Sequence, residues 1–244
     1  MGIVVASAVE KELQKLANSA KAVVLQRFFK TGPGEYGEGD KFFGITVPVL
    51  RSVAKKYSTL DFSSLSKLLE SPWHEMRLLA LLILVLQYQK AFKLQEKELC
   101  GDIYKFYISN FQRINNWDLV DLSAPHIVGA ELFPKDQKQS GEILLSFSKD
   151  KNLWLRRIAI VSTFYFIRNN YFSHTLNISE SLLEDKADLI HKASGWMLRE
   201  VGKRDQECLE NFLRKNKALM PRTMLRYAIE RFPEDLRKGY LRGG

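Results

Sequence analysis

The chain has 244 residues, 45% of them hydrophobic, enough to bury a full core as one long domain or as a repeat array. Its 37 Lys and Arg against 28 Asp and Glu leave a net charge of +9, scattered rather than gathered in a tail, which favours an anionic partner. Only two cysteines occur, Cys100 and Cys208, too far apart in sequence for a metal-type spacing, which fits a reducing, cytoplasmic setting.

Residues 1–10 are mildly apolar and soon charged, unlike a signal peptide. Apolar periodicity predicts helices over 7–30, 47–57, 61–70, 73–90, 94–110, 116–132, 136–148, 152–168, 179–186, 188–202, 205–215, 221–231 and 234–241. Strand alternation is nearly absent. The loop from Gly32 to Asp40 has no strand before it, carries Pro33 and lacks a Gly-Lys-Ser/Thr ending, and Glu35, Glu38 and Asp40 would repel phosphate. It reads as a linker. The segment Ser71-Pro72-Trp73-His74-Glu75 reads as a helix cap, a first-turn proline and an acid at the positive helix end. The most apolar run, 78–86, is far shorter than the roughly 20 residues that span a bilayer, so no membrane role is expected. Of seven prolines none falls between Pro134 and Pro221, while Pro221 and Pro233 each stand at a helix start.

Four tryptophans, Trp73, Trp117, Trp154 and Trp196, recur at intervals of 44, 37 and 42 residues. Each is followed three or four residues later by a charge on the same helix face: Arg77, Asp121, Arg157 and Arg199. Aligning Arg77, Asp121, Arg157, Lys192 and Arg222 gives intervals of 44, 36, 35 and 30, in or a little below the range of HEAT and armadillo repeats. The expected fold is therefore all-α: a single domain over 1–244, a curved α-solenoid of antiparallel helix pairs with HEAT-like repeats. A monomer is expected.

The chain has no HExxH, CxxC or GxSxG, and His74, His126, His174 and His191 have no ligand spacing, so neither a metal nor a cofactor is expected. His191 reads as a helix cap or a phosphate neighbour. What remains for chemistry is Asn115-Asn116-Trp117-Asp118-Leu119-Val120-Asp121. Asn115 or Asn116 caps this helix, and Asp118 in the first turn is a favourable structural charge, rotated about 100° from Trp117. Asp121 lies at the edge of an apolar stripe, and the pattern alone leaves open a structural ion pair with Arg157 of the next repeat.

Five segments stand out in order along the chain: Phe42-Phe43-Gly44-Ile45-Thr46-Val47-Pro48-Val49-Leu50-Arg51, the Asn116-to-Asp121 segment, Trp154-Leu155-Arg156-Arg157-Ile158-Ala159, the stretch from Lys192 to Glu200 with Gly195-Trp196-Met197-Leu198-Arg199, and that from Pro221 to Ala228. They carry a resemblance to the DNA alkylation repair family, HEAT-like-repeat DNA glycosylases that excise N3- and N7-alkylated purines. It implies that Asp121 is the active-site carboxylate, with Trp117 and Trp196 against the sugar of the lesion and Arg157 on a flanking phosphate. The chain departs from the family at Asn116, where members often carry a second aromatic.

Such a base is already a cationic leaving group, so what needs help is the positive charge that builds on the sugar. The implied partner is duplex DNA carrying 3-methyladenine, 7-methylguanine or a bulkier N3 or N7 adduct. Arg51, Lys55, Lys56, Arg77, Arg113, Lys192, Arg199, Arg222 and Arg226 are the candidate phosphate contacts. No base pocket is evident in the sequence. Two rival readings are a non-catalytic solenoid that binds distorted duplex and a protein–protein scaffold.

Overall fold

Asn18 divides the N-terminal helix that periodicity predicts as one. The computed structural model describes residues 2–242, beginning with α1 (Gly2–Lys15) and α2 (Ser19–Phe28). Asn18 between them is extended, and its Oδ1 accepts the Lys21 N–H at 2.9 Å, an N-cap that opens a second helix. There follow α3 (Val47–Lys56), α4 (Phe62–Leu69), α5 (His74–Lys93) and α6 (Lys97–Ser109). A single 3-10 turn (Phe111–Arg113) then leads to α7 (Trp117–Asp121). The helices gather into two compact units, residues 1–127 and 128–244.

In the first unit α5 is the central helix. Its residues from His74 to Val85 are buried without a break, as expected of a helix apolar on every side. Helices α3, α4, α6 and α7 pack around it, and α1 packs on α4. Aromatic stacking of Phe62 on Phe106, 4.8 Å between centroids, joins α4 to α6. The loop before α3 turns at Gly44, where φ is +82°. A Cβ there would lie 2.1 Å from the Asn18 carbonyl oxygen, so only glycine lets the loop back onto the start of α2.

The helix predicted over 116–132 is broken into α7, a π-helical turn (Pro125–Gly129) and α8 (Ala130–Leu132). Pro125 has no N–H to give to the Asp121 carbonyl, so the α-helical ladder cannot continue past Asp121.

The second unit contains α8, α9 (Gln137–Ser148), α10 (Leu153–Arg168), α11 (Ser173–Ser181) and α12 (Asp188–Gly202). It ends with α13 (Gln206–Asn216), α14 (Arg222–Ala228) and α15 (Glu234–Leu241). Asn152 caps α10, its Oδ1 accepting the Trp154 and Leu155 N–H groups. Helix α11 begins at Ser173, earlier than the 179–186 that periodicity suggests. Helix α10 packs on α12 and α12 on α14 as one layer, with α9 against α11 as the other. Gly195 makes the α12–α14 approach possible: a Cβ there would be 2.5 Å from the Met224 carbonyl oxygen. Leu198, Leu209, Leu213, Met224 and Leu225 form the core at this end.

The protein is thus all-α, its helices packed in pairs of the HEAT-like kind, with short connections that make consecutive partners antiparallel. Among the described residues there is no strand beyond an isolated bridge between Lys41 and Trp73. Among the described residues no helix is long and apolar enough to cross a membrane. Both cysteines are free thiols, Cys100 buried and Cys208 half-buried.

Candidate active site and nucleic-acid interface

The predicted functional residues fall on one layer of each unit. In the first unit Arg51, Lys55 and Lys56 are on α3, Arg77 on α5, and Trp117 and Asp121 at the two ends of α7. In the second, Arg157 is on α10, Lys192, Trp196 and Arg199 on α12, and Arg222 and Arg226 on α14. Arg113 ends the exposed 3-10 turn just before α7.

Helix α7 is short and therefore depends on its surroundings. Asn116 starts it: fully buried, it accepts the Trp117 N–H at 2.8 Å through Oδ1 while Nδ2 points at Asp40. Beneath the helix, the Tyr107 hydroxyl of α6 meets the Ser123 hydroxyl at 2.8 Å, and Ser123 in turn donates to the Leu119 carbonyl at 2.5 Å. Tyr107 is completely buried. Burial, and then the negative charge of Asp121, raise its pKa and keep it a neutral phenol. Asp121 itself is half-buried, one turn after the half-buried Trp117.

Trp117 sits in an aromatic nest. Phe29 stacks on it with centroids 5.2 Å apart, Phe28 meets it edge-on at 5.7 Å, and its Nε1 donates to the Tyr36 hydroxyl at 3.1 Å. Tyr36 belongs to the loop read from sequence as a bare linker. That loop is internally fastened, Glu35 accepting the Gly32 N–H and Glu38 the Gly34 N–H. Its last acid, Asp40, is buried and pairs with Arg77 at 2.7 Å.

This pairing corrects the assignment of Arg77 as a phosphate contact. Arg77 is 4% exposed and bonds the Ser71 carbonyl as well as Asp40, so it faces the interior. The same cluster contains His74, whose Nε2 is 2.8 Å from Asp118 and whose Nδ1 is 3.4 Å from Asp40. Burial disfavours the charged imidazole, but the Asp118 charge and the hydrogen bonds to Asp118 and Asp40 outweigh it and raise the pKa to about 9. Asp40 is held below the usual carboxylate range: burial opposes ionisation, and His74 and Arg77 together overcome it.

The expectation for Ser71-Pro72-Trp73-His74-Glu75 also changes. Trp73 is the N-cap of α5, and Ser71 supports it by accepting its N–H at 3.2 Å. Glu75 does not face solvent at the helix end. It is buried and accepts three backbone N–H groups, from Phe43 at 3.0 Å, Gly44 at 2.8 Å and Ile45 at 3.2 Å. Asp40, His74, Glu75 and Asp118 are the site residues that sequence reasoning missed or passed over. The available signal was a His-Glu pair and an Arg at the head of an otherwise apolar helix, since buried charges come paired.

Of the other candidate cations, Arg51, Lys55, Arg113 and Arg226 are exposed. Arg51 and Lys55 border a groove of about 390 Å³ with Leu82, Gln89, Leu122 and His126. Lys56 pairs with Glu12 at 2.6 Å, Lys192 with Asp188 at 2.7 Å, and Arg199 with Glu200 and Glu230. Arg222 donates to the Leu241 carbonyl at 2.9 Å. Arg157 is 5% exposed and donates to the Leu189 carbonyl at 2.5 Å, which ties α10 to α12. Trp196 is half-buried beside Phe164, 6.0 Å between centroids. Trp154 is core. His191 bonds the Asp185 carbonyl and so secures the start of α12. Among the described residues no group of three or more His, Cys, Asp or Glu is placed to hold a metal.

Comparison with known proteins adds a family. The profile described as DNA alkylation repair enzyme matches residues 9–232. Among solved structures, one of a protein from Enterococcus faecalis described as a predicted DNA alkylation repair enzyme superposes with a TM-score of 0.66 at 16% identity, covering 89% of this chain and 97% of that one. At that identity the likeness concerns the fold alone. No protein of curated function matches significantly.

Proposed function

We propose that this chain, which belongs to the DNA alkylation repair enzyme family, is a DNA glycosylase that hydrolyses the N-glycosidic bond of positively charged alkylpurines in duplex DNA. The observation that carries this reading is α7: a partly exposed Asp121 one turn from Trp117, on a helix that ends there because Pro125 cannot extend it.

In the reaction the glycosidic electron pair leaves with the base and cancels its charge. Positive charge appears at C1′, water adds there, and a proton is lost. Asp121 is assigned two tasks, to stabilise the sugar cation and to orient or deprotonate the water. Trp117 excludes water and adds cation–π attraction as the charge builds. On the second unit we assign Trp196, Lys192 and Arg199 of α12 to contacts with the DNA. Arg157, embedded between α10 and α12, contributes its charge rather than a direct phosphate contact. Arg51 and Lys55, beside their groove, are assigned to phosphates.

The test is release of 7-methylguanine or 3-methyladenine from a duplex oligonucleotide. Asp121→Asn should be slower than wild type by about two to three orders of magnitude, the scale for one lost transition-state stabiliser. Its DNA affinity should be unchanged or slightly higher. Release at equal rates by the two proteins would remove Asp121 from the chemistry, and no release by either would leave only a DNA-binding solenoid.

A further inference from the structure

The second unit has a pocket on two helices that carry none of the residues assigned to DNA. It has a volume of about 500 Å³ and is lined by Leu176, Asn177 and Glu180 of α11 and by Glu207, Phe212 and Asn216 of α13, among others. Glu207 stands in the first turn of α13 and Asn216 is its last residue, so the pocket runs about 13 Å along that helix.

Some of its polar groups are accounted for by the fold. Asp205 caps α13, its Oδ1 accepting the Cys208 N–H at 2.8 Å. Glu180 pairs with Lys215 at 2.7 Å and ties α11 to α13. Two groups are not accounted for. Glu207 is exposed and has no ion-pair partner among the described residues. Asn216 is 3% exposed, and its Nδ2 is buried with no hydrogen-bond partner among the described residues. A buried amide N–H without an acceptor is costly, so an acceptor brought by a ligand removes a penalty already present. Turning Nδ2 toward the pocket forfeits no bond, because it makes none.

We propose that this pocket docks an extended, arginine- or lysine-bearing segment of a partner protein. A backbone carbonyl of that segment accepts from Asn216 Nδ2, and its cationic side chain turns toward Asp205 and Glu207. Charge is the first reason. Three carboxylates line the pocket against one base, on a chain whose net charge is +9. The local sign thus repels DNA phosphate and attracts a cation. Length is the second. About 13 Å is the reach of about four extended residues, more than a free amino acid or amine spans. The lining is the third. Leu176 and Phe212 offer apolar surface to the methylene stem of a long basic side chain, whose head stays in water. Asn216 needs an acceptor, which a peptide carbonyl supplies and a protonated amine does not.

The test uses a blocked tetrapeptide, acetyl-Ala-Arg-Gly-Ala-amide, and the same peptide with citrulline, a neutral isostere, in place of arginine. Titration calorimetry at pH 7.5 should show the arginine peptide binding about threefold to tenfold more tightly, the scale of one or two partly exposed charge pairs. Glu207→Lys, at an exposed position, should erase that preference and leave citrulline-peptide binding unchanged. Asn216→Leu should weaken both peptides about twofold to tenfold, the value of one hydrogen bond, with thermal melting used to check that it is folded. Butylguanidinium, the side chain without a carbonyl, should bind more weakly than the arginine peptide.

Equal affinity for the two peptides, no binding of either, or binding indifferent to Glu207→Lys overturns the site. Butylguanidinium binding as tightly as the arginine peptide overturns the peptide as occupant. The inference does not depend on the glycosylase reading. Base release and duplex affinity should be the same in Glu207→Lys as in wild type, so the two functions fail or stand separately. A tenfold gain in duplex affinity in that variant would put the pocket on the DNA surface and overturn the assignment.

Discussion

Nε2 of His74, at the head of α5, lies 2.8 Å from Oδ2 of Asp118 on α7, and both residues are buried. The bond joins the central helix of the first unit to the short helix that carries Trp117 and Asp121. With Asp40 on the other ring nitrogen and Arg77 on Asp40, it forms a line of alternating charge. Because α7 has so few helical bonds of its own, this line is a main reason that it stays in place.

The arrangement predicts a stability profile with a fixed sign. The pKa of His74 is about 9 in the fold against 6.5 in its absence, so the bound proton is favoured by folding. The stabilisation is fully present below about pH 6.5 and disappears as pH rises through 9, with a total effect of about 3 kcal/mol. Asp40 acts at the other end: its lowered pKa contributes stability above 3.8 that is lost on acidification. Urea midpoints from pH 6 to 10 should fall in wild type. His74→Gln should be less stable at pH 6 and nearly flat across the range. A parallel decline in both proteins would show that some other group titrates.

The buried Arg77 and the exposed Arg51 should separate stability from DNA affinity. Arg51→Ala removes one cation from a groove wall. If it meets a phosphate, the slope of log affinity against log salt should lessen by about 0.9. Arg77→Met should leave that slope unchanged yet destabilise the fold by about 3–5 kcal/mol, since Asp40 loses its partner at 2.7 Å. Fluorescence anisotropy at several salt concentrations, beside denaturant melts, measures both quantities. A smaller salt slope for folded Arg77→Met would restore that arginine to the DNA surface.

The residues that were legible in the sequence are those whose signal is local. Helical periodicity found the helices from α3 to α6, α9, α10 and α12 to α15, and the Trp-to-charge spacing placed the candidates on one layer of each unit. The split at Asn18 was hidden because Asn is tolerated within a helix, and the break after Asp121 because Pro125 was read through. The ionic cluster was out of reach for another reason. Asp40, His74 and Asp118 are separated by 34 and 44 residues, and each has an ordinary local explanation as a linker acid, a helix-start residue or a first-turn charge. Only tertiary burial makes them partners.

Glu75 provides the last test, because its role is to shape backbone rather than to bind a charge. Its Oε1 accepts the Gly44 and Ile45 N–H groups and its Oε2 accepts that of Phe43. Glu75→Gln keeps the volume and one oxygen, so two of the three bonds can persist. The third cannot, because an amide NH2 would face the Phe43 N–H, donor against donor. One buried N–H left unsatisfied costs about 1–3 kcal/mol, or several degrees of melting temperature for a chain of this size. Phe43 and Gly44 also anchor the start of α2, so this loss should be accompanied by faster amide exchange in residues 43–45 and 18–22. Exchange should be unaltered on α6, where no such bond is disturbed. A melting temperature equal to that of wild type, or protection lost evenly through the unit, would mean that the carboxylate does not organise this loop.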